Sequence, residues 1–305
     1  MDFETLKAKF PQYKVIFDDL ETAGHAMQKR YIQGTSKDDS PMLCHYTNFD
    51  CLKSILEGGL MYATDAIYLN DSSELVYSMN LVDEIVHTQS YSDGFKAIID
   101  RTLKENLQVA VFCLSFSERP DNLSQWRSYA DSGKGVALGF DGDSLAIDLY
   151  KAIPDGVLGR VMYEKQFTHT FWAQAVDDLN GIFLKHKLDK LGNDRDLFLP
   201  QFSGILGSLF PLFKNHGFSD EQEVRYIVNR SSHVEDLKDV KVRTRSGLLI
   251  PYLEIAVPRM EVNLKEIILG PGSSAALSSK ALKILLRNLN LGNVAVRFSE
   301  IPYRV

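Results

Sequence analysis

The chain has 305 residues, of which 45% are hydrophobic and 24% are charged. This balance is typical of a globular protein with a sizeable core, and it argues against a disordered or fibrous chain. The formal net charge of −6 argues against a surface built mainly to neutralise nucleic-acid phosphates. The basic segment 238–247 is either an exposed hairpin with solvated side chains or a local basic groove.

Cysteine usage and hydropathy indicate the compartment. Cys44, Cys51 and Cys113 cannot all pair with one another, and no two have the C-x-x-C spacing of a zinc or redox site. Their apolar neighbours predict free, buried thiols and therefore a reducing cytoplasm. The acidic, amphipathic start of the chain lacks the features of a signal peptide, and no apolar run is long enough to cross a bilayer. We therefore expect a cytoplasmic protein without a membrane partner.

The predicted elements begin with a helical extension and a polar linker over residues 1–40. A strand from Met42 follows, then a short helix, a second extended segment and two amphipathic helices. The near-continuous apolar run over 108–118 predicts a strand that is buried on both faces. A turn-rich loop with one short helix then leads to another strand over 135–141.

The second half of the chain predicts a helical insertion over 165–217, after which strands return. A helix and a closing strand end the pattern. We therefore predict an α+β fold in which helices flank a mixed, mainly antiparallel sheet. The predicted domains are the extension over 1–40 and a single α+β domain over 41–305.

The best-patterned polar signal is the segment SDEQEVRYIVN (219–229). Strand alternation predicts that Glu221, Glu223 and Arg225 project from one face. Two carboxylates and a guanidinium on one face form either a site in which a ligand or a cation offsets the like charges, or a solvated ladder on an edge strand. Both interpretations stay open.

His45 is the second candidate, since it lies near the end of an apolar strand and is followed by Tyr46 and Thr47. An imidazole, a phenol ring and a hydroxyl within so short a segment suit a polar aromatic ligand. A single histidine is also a common structural hydrogen-bonding group. The turn NDSSE (70–74) that follows is either a helix cap or a further part of this site.

Two further features have alternative interpretations. Trp126, with Arg127 and Tyr129, forms either a lid over a pocket or an anchor for the long loop. The segment ILGPG (268–272) lacks both the P-loop lysine and the G-x-G-x-x-G pattern and is predicted to be a turn. No zinc-peptidase, hydrolase or kinase motif occurs, so no metal site is predicted.

The order of these motifs resembles the bacterial domain-of-unknown-function family 2971, and the resemblance covers nearly the whole chain beyond residue 40. It implies no settled activity. The motifs that carry it are LCHYTNFDCLKSILEGGL, YLNDSSE, LSFSERPDNLSQWRSYADSGKGVALGFD, DEQEVRYI, IILGPG and SEIPYR.

A more distant similarity is to ADP-ribosyltransferase folds. Those folds open with a strand ending in His-x-Thr and a short helix, and later strands carry Ser-x-Ser and a glutamate, sometimes as Glu-x-Glu. The segments CHYT, LSFS and EQE occur here in that order. The resemblance implies an ADP-ribosyltransferase-like fold with NAD as a substrate, and transfer of ADP-ribose to a macromolecular acceptor that it does not identify, as in a toxin or phage-defence effector.

The resemblance also implies roles for individual residues. His45 and Thr47 would contact the ribose and nicotinamide side of NAD, Glu223 would be the catalytic carboxylate, and Glu221 would position the acceptor. The other residues that would bind NAD or support the site are Tyr46, Ser115, Ser117, Trp126, Arg127, Lys134 and Arg225. The rings eligible to stack on nicotinamide are Tyr62, Tyr68 and Phe116.

Two other functions remain open from the sequence. One is a non-catalytic module that binds a nucleotide or a partner protein in the same cleft. The other is a nuclease in which Glu221, Glu223 and Asp71 hold a divalent metal, which the net negative charge disfavours. The catalytic hypothesis requires that His45 and the acids of EQE meet in one pocket.

Overall fold

The computed structural model describes residues 3–35, 41–69, 73–106, 110–230, 237–245, 247–272 and 275–303. The strands are β1 (Met42–Thr47), β2 (Leu60–Asp65), β3 (Ala110–Ser117), β4 (Val136–Asp141), β5 (Val157–Arg160), β6 (Glu223–Arg230), β7 (Lys241–Arg245), β8 (Leu248–Ala256), β9 (Leu264–Leu269) and β10 (Ala295–Phe298). The helices are α1 (Phe3–Lys9), α2 (Lys14–Thr35), α3 (Phe49–Gly58), α4 (Ser73–Thr88), α5 (Asp93–Asn106), α6 (Leu123–Tyr129), α7 (Gly142–Ala152), α8 (Lys165–Lys185), α9 (Leu199–Gly207), α10 (Met260–Asn263) and α11 (Ala275–Asn288).

The strands form one open sheet in the order β10-β9-β4-β1-β3-β2-β8-β7, and β6 joins it by pairing with both β3 and β5. The pairing of β10 with β9 is parallel, whereas the other strand pairs in the described part of the chain are antiparallel. Helices flank this sheet. The predicted α+β fold with a mixed, mainly antiparallel sheet is therefore confirmed.

Strand β3 lies in the middle of the sheet and is buried along almost its whole length, as its apolar run predicts. Alternate residues reach two different cores. Val111 and Cys113 pack with α2, α4, α5, α8 and α9, whereas Phe112 and Leu114 pack with α3, α7 and α11. The helices predicted over 165–217 thus form part of the larger core.

The N-terminal helices also pack into that core, through the fully buried Phe17, Leu20 and Tyr31 of α2. Most of the predicted linker, 36–40, lies outside the described residues, and the domain boundary at residue 40 stays a prediction. Among the described residues, no helix is both long enough and apolar enough to cross a membrane.

The sheet splits beside β3, because β1 and β2 approach the same edge of this strand at different points. On β1, Cys44 pairs with Ser117, whereas on β2 Thr64 pairs with Cys113. The described ladder leaves residues 114–116 of β3 without a strand partner on that edge, while β6 pairs with them on the other edge. A gap therefore opens in the sheet between β1 and β2.

Helix α3 connects the two diverging strands. The Asn48 side chain accepts a hydrogen bond from the Cys51 N–H at 2.8 Å and caps the start of the helix. Gly59 ends it with a left-handed φ of 62°, which glycine adopts without steric cost. Both signals are readable in the sequence, and they set where α3 begins and ends between β1 and β2.

Candidate functional site

A pocket of about 490 Å³ occupies the gap between β1 and β2. Residues of β1, α3, β2, β3, α6, β6 and β7 form its wall. The volume lies within the range of roughly 300–1,000 Å³ that is typical of small-molecule sites. His45 and Glu223 both line this pocket. The fold therefore brings together two residues that are separated by about half the length of the chain.

His45 lies on β1 and bridges the gap in the sheet. Its Nδ1 atom is 3.0 Å from the main-chain oxygen of Ser115, and its ring packs edge-on against Phe116. Because a carbonyl only accepts, we assign the proton of the neutral ring to Nδ1, which leaves the lone pair on Nε2. Burial lowers the pKa of His45, and the charge of Arg243 acts in the same direction, so the ring is neutral at pH 7.

Glu223 and Arg225 lie on β6 and face the pocket as an ion pair. Only 4% of Glu223 and 1% of Arg225 is exposed. Arg225 donates from Nη1 to the Pro211 carbonyl at 2.8 Å, and the Tyr163 hydroxyl oxygen accepts from the Glu223 N–H at 3.1 Å. The Pro211 contact fixes the guanidinium beside the carboxylate, and the Glu223 Oε2 atom is buried without a hydrogen-bond partner among the described residues.

Glu221 differs from its prediction, because it does not belong to β6. It ends a 3₁₀ turn, His216–Glu221, and Gln222 then takes a left-handed φ of 42° before the strand begins. Of the three residues that were predicted to share one face of this strand, Glu223 and Arg225 do so and Glu221 does not. The Glu221 carboxylate is buried outside the pocket lining and pairs with Lys214 Nζ at 2.6 Å. Lys214 also lies 3.9 Å from Glu223.

Trp126 is fully buried and does not line the pocket, so its ring anchors the loop and does not cover the pocket. Its Nε1 donates to Asp121 at 2.6 Å, and its ring packs edge-on against Tyr46, with 4.8 Å between ring centroids. Arg127 is exposed and also lies outside the lining. From this segment, Gln125 and Tyr129 reach the pocket instead.

Some of the other predicted residues line the pocket, and others lie outside its lining or outside the described residues. Ser117 is buried outside the pocket lining, where it donates to the Glu221 carbonyl at 2.6 Å and accepts from the Arg119 N–H at 3.0 Å. Asn70 and Asp71 of the NDSSE turn, and the side chain of Glu74, lie outside the described residues. The predicted residues that do line the pocket are Tyr46, Thr47, Tyr62, Tyr68, Ser115 and Phe116.

The polar lining residues that sequence reasoning missed include Gln125 and Arg243. Gln125 is 4% exposed, and its buried Nε2 has no hydrogen-bond partner among the described residues. Arg243 comes from the predicted hairpin 238–247, which the structure confirms as β7 turning into β8. The alternation of basic residues in KVRTR was the signal for a basic groove, but it did not indicate which surface the hairpin faces.

Among the described residues, the pocket lining carries three arginines and two carboxylates. Its charged lining residues are Asp50, Glu223, Arg225, Arg243 and Arg245. Glu223 and Arg225 offset one another. Among the described residues, no carboxylate lies within 4.0 Å of Arg243 or Arg245. Together with the lining tyrosines, this arrangement suits an anionic ligand that contains a flat ring.

The sequence model of a protein family of unknown function, DUF2971, matches residues 125–226. This part of the chain, the DUF2971 segment, is similar to that family and spans about a third of the chain. The predicted family is thereby confirmed over that range. No curated protein and no solved structure matches the chain, so the likeness to ADP-ribosyltransferases stays a prediction.

The DUF2971 segment contributes Gln125, Tyr129, Glu223 and Arg225 to the pocket lining. His45 and Arg243 also line the pocket but lie outside the matched range. The site is therefore formed by the DUF2971 segment together with flanking parts of the chain.

The two acids of the metal alternative that the structure describes both pair with cations. Glu221 pairs with Lys214 and Glu223 with Arg225, while Asp71 lies outside the described residues. Within the described part of the chain, the group with metal-ligand spacing is Asp83, His87 and Asp100 on α4 and α5, remote in sequence from EQE. The geometry therefore gives the metal-dependent nuclease alternative no support.

Proposed function

We propose that the chain binds NAD in this pocket and transfers ADP-ribose from it. The observation that carries the proposal is that His45 and Glu223, which the resemblance to ADP-ribosyltransferases pairs, line one pocket. The acceptor, and with it the predicted role as a toxin or phage-defence effector, rests on the resemblance alone.

Binding of NAD is supported by the composition of the lining. The diphosphate needs cationic donors, and Arg243 and Arg245 have no carboxylate partner among the described residues. The aromatic rings find stacking partners in Tyr62, Tyr68 and Tyr129. The neutral His45 ring offers Nε2 as an acceptor for a ribose hydroxyl.

The proposed reaction places Glu223 beside the ribose. The bond between the nicotinamide nitrogen and ribose C1′ breaks, and its electron pair leaves with nicotinamide. The positive charge that develops on the ribose is stabilised by the Glu223 carboxylate, as in glycosyl transfer generally. The acceptor nucleophile then bonds to C1′ and loses its proton to water. Arg225 holds the carboxylate in place throughout.

A second candidate is a non-catalytic module that binds a nucleotide. The burial of Glu223 favours it, because a carboxylate that is 4% exposed and paired with Arg225 already has its charge offset. In this function the same pocket binds the ligand and leaves it intact.

Nicotinamide release from NAD distinguishes the two functions. We expect the wild-type chain to release nicotinamide, measured by chromatography, and Glu223→Gln to reduce the rate at least about 100-fold while NAD affinity, measured by calorimetry, changes little. Glu266→Gln is the matched control, since Glu266 is also a strand carboxylate paired with an arginine but lies outside the pocket. Saturable binding of NAD that stays intact for hours would establish the binding module. Absence of NAD binding would contradict the transferase, and absence of both NAD and ADP binding would contradict the nucleotide-binding module as well.

A further inference from the structure

Arg243 has an unusual environment for a residue of an exposed hairpin. It is partly buried, and its guanidinium lies 5.5 Å from the ring centroids of both Tyr62 and Tyr252. Nη2 donates to the Thr64 hydroxyl at 2.8 Å. These contacts fix the position of the guanidinium beside the pocket, because two rings restrict it and a hydrogen bond sets its rotation.

The hydrogen-bonding capacity of Arg243 is nevertheless largely unused. Its Nε–H is buried and has no partner among the described residues, and no described carboxylate lies within 4.0 Å of it. Burying a charge without an opposite charge is costly, and burial accordingly lowers the pKa of Arg243. An anion bound in the pocket would offset this cost.

A comparison with its neighbours on β7 shows that the lack of a carboxylate partner at Arg243 goes together with its place in the pocket lining. By strand alternation Lys241, Arg243 and Arg245 share one face of β7. Lys241 pairs with Glu254 at 2.6 Å and lies outside the pocket lining, whereas Arg243 and Arg245 line the pocket. On β7, the two arginines that reach the pocket are therefore the ones without a carboxylate partner among the described residues.

We propose that Arg243, assisted by Arg245, forms a subsite for the phosphate groups of a nucleoside diphosphate. The planar guanidinium fork matches phosphate oxygens in a bidentate manner, and the Nε–H is the donor that such an oxygen would satisfy. Tyr62 beside Arg243 places an aromatic face next to the anion subsite. This inference rests on the proposed function in so far as NAD contains a diphosphate, but it does not require cleavage of NAD.

Calorimetric titration with ADP, adenosine and inorganic pyrophosphate tests the subsite. We expect the wild-type chain to bind ADP at least about 10-fold more tightly than adenosine, because charge-assisted hydrogen bonds contribute about 1.5–3 kcal/mol. Arg243→Gln should weaken ADP binding about 10- to 100-fold and leave adenosine binding unchanged. Lys241→Gln is the matched control, since it removes the same charge from the same strand face outside the pocket, and it should change ADP affinity less than about twofold.

The arms of this experiment separate the possible outcomes. Competition of pyrophosphate with ADP supports a subsite that recognises the phosphates themselves. Binding of pyrophosphate without any binding of ADP assigns the subsite to a free phosphoanion and overturns the assignment to a nucleoside diphosphate. Equal affinity for ADP and adenosine in the wild-type chain overturns the proposal, and this comparison needs no variant to fold. Unchanged ADP affinity in a folded Arg243→Gln chain also overturns it. Loss of nicotinamide release with intact, Arg243-dependent ADP binding would reject the proposed transfer reaction and keep the subsite.

Discussion

The Nδ1 atom of His45 lies 3.0 Å from the main-chain oxygen of Ser115, across the gap where β1 leaves β3. The His45 side chain here takes the place of a main-chain hydrogen bond between β1 and β3. It therefore connects the two strands at one point, and the pocket lies beside this contact. The functional pocket and the local stability of the sheet consequently depend on the same imidazole.

The burial of His45 predicts a pH dependence of stability. Because the pKa of His45 is lowered in the folded chain from 6.5, the unfolded chain takes up the proton first as the pH falls. Its contribution to stability is therefore complete above pH 6.5 and declines below it, by up to about 1.4 kcal/mol per pH unit. We expect His45→Asn, which keeps a donor near Ser115, to flatten the dependence between pH 5 and 6.5 in urea titrations. An unchanged slope in a folded His45→Asn chain would contradict this prediction.

The ion pair between Glu223 and Arg225 predicts a large and non-additive effect on stability. Arg225→Met leaves the Glu223 carboxylate buried without its main cation and should lower the free energy of unfolding by about 3–5 kcal/mol. Adding Glu223→Gln should recover part of this loss, as a double-mutant cycle in urea would show. By comparison, Lys53→Met at an exposed helix pair should cost less than about 1 kcal/mol. Additive losses at Glu223 and Arg225 would contradict the coupling.

Gln125 predicts opposite effects on stability and on binding. Its buried Nε2 lacks a hydrogen-bond partner among the described residues, so Gln125→Leu removes an unsatisfied donor. The substitution should leave the free energy of unfolding unchanged or raise it by up to about 1 kcal/mol. The same substitution should weaken ADP or NAD binding about 2- to 10-fold, because the ligand loses that donor. Gln166→Leu, at an exposed position in the first turn of α8, provides the control. A strong loss of stability without a binding defect would show that the Gln125 amide is structural.

Gly135 predicts a steric effect at the end of β1. A Cβ atom there would collide with the Thr47 carbonyl and with the Ala130 main chain, so Gly135→Ala must move Thr47, which lines the pocket. We expect a loss of roughly 2 kcal/mol or more in unfolding free energy, together with weaker ligand binding. Gly181 on α8 has no atom within 4 Å of the equivalent position, so Gly181→Ala should instead stabilise the chain by about 0.5–1 kcal/mol.

Local sequence signals predicted most of the elements. The apolar run of β3, the Asn48 cap and Gly59 end of α3, and the interruption at Pro11 between α1 and α2 are readable because each depends on a few neighbouring residues. Where the prediction of an element was wrong, a local conformation overrode the pattern. The left-handed backbone at Gln222 removes Glu221 from β6, and glutamine carries no signal for that conformation.

The sequence by itself determined that the chain forms an α+β fold, and that His45, Glu223 and Arg225 belong to strands from which they project in a set direction. Only the tertiary structure decided that these strands meet at a split sheet, that Trp126 is buried as an anchor, and that Arg243 reaches the pocket. The reason is physical: alternation sets which face of a strand a side chain occupies, but which surface that face meets depends on pairings such as β2 with β8, between residues nearly 200 positions apart.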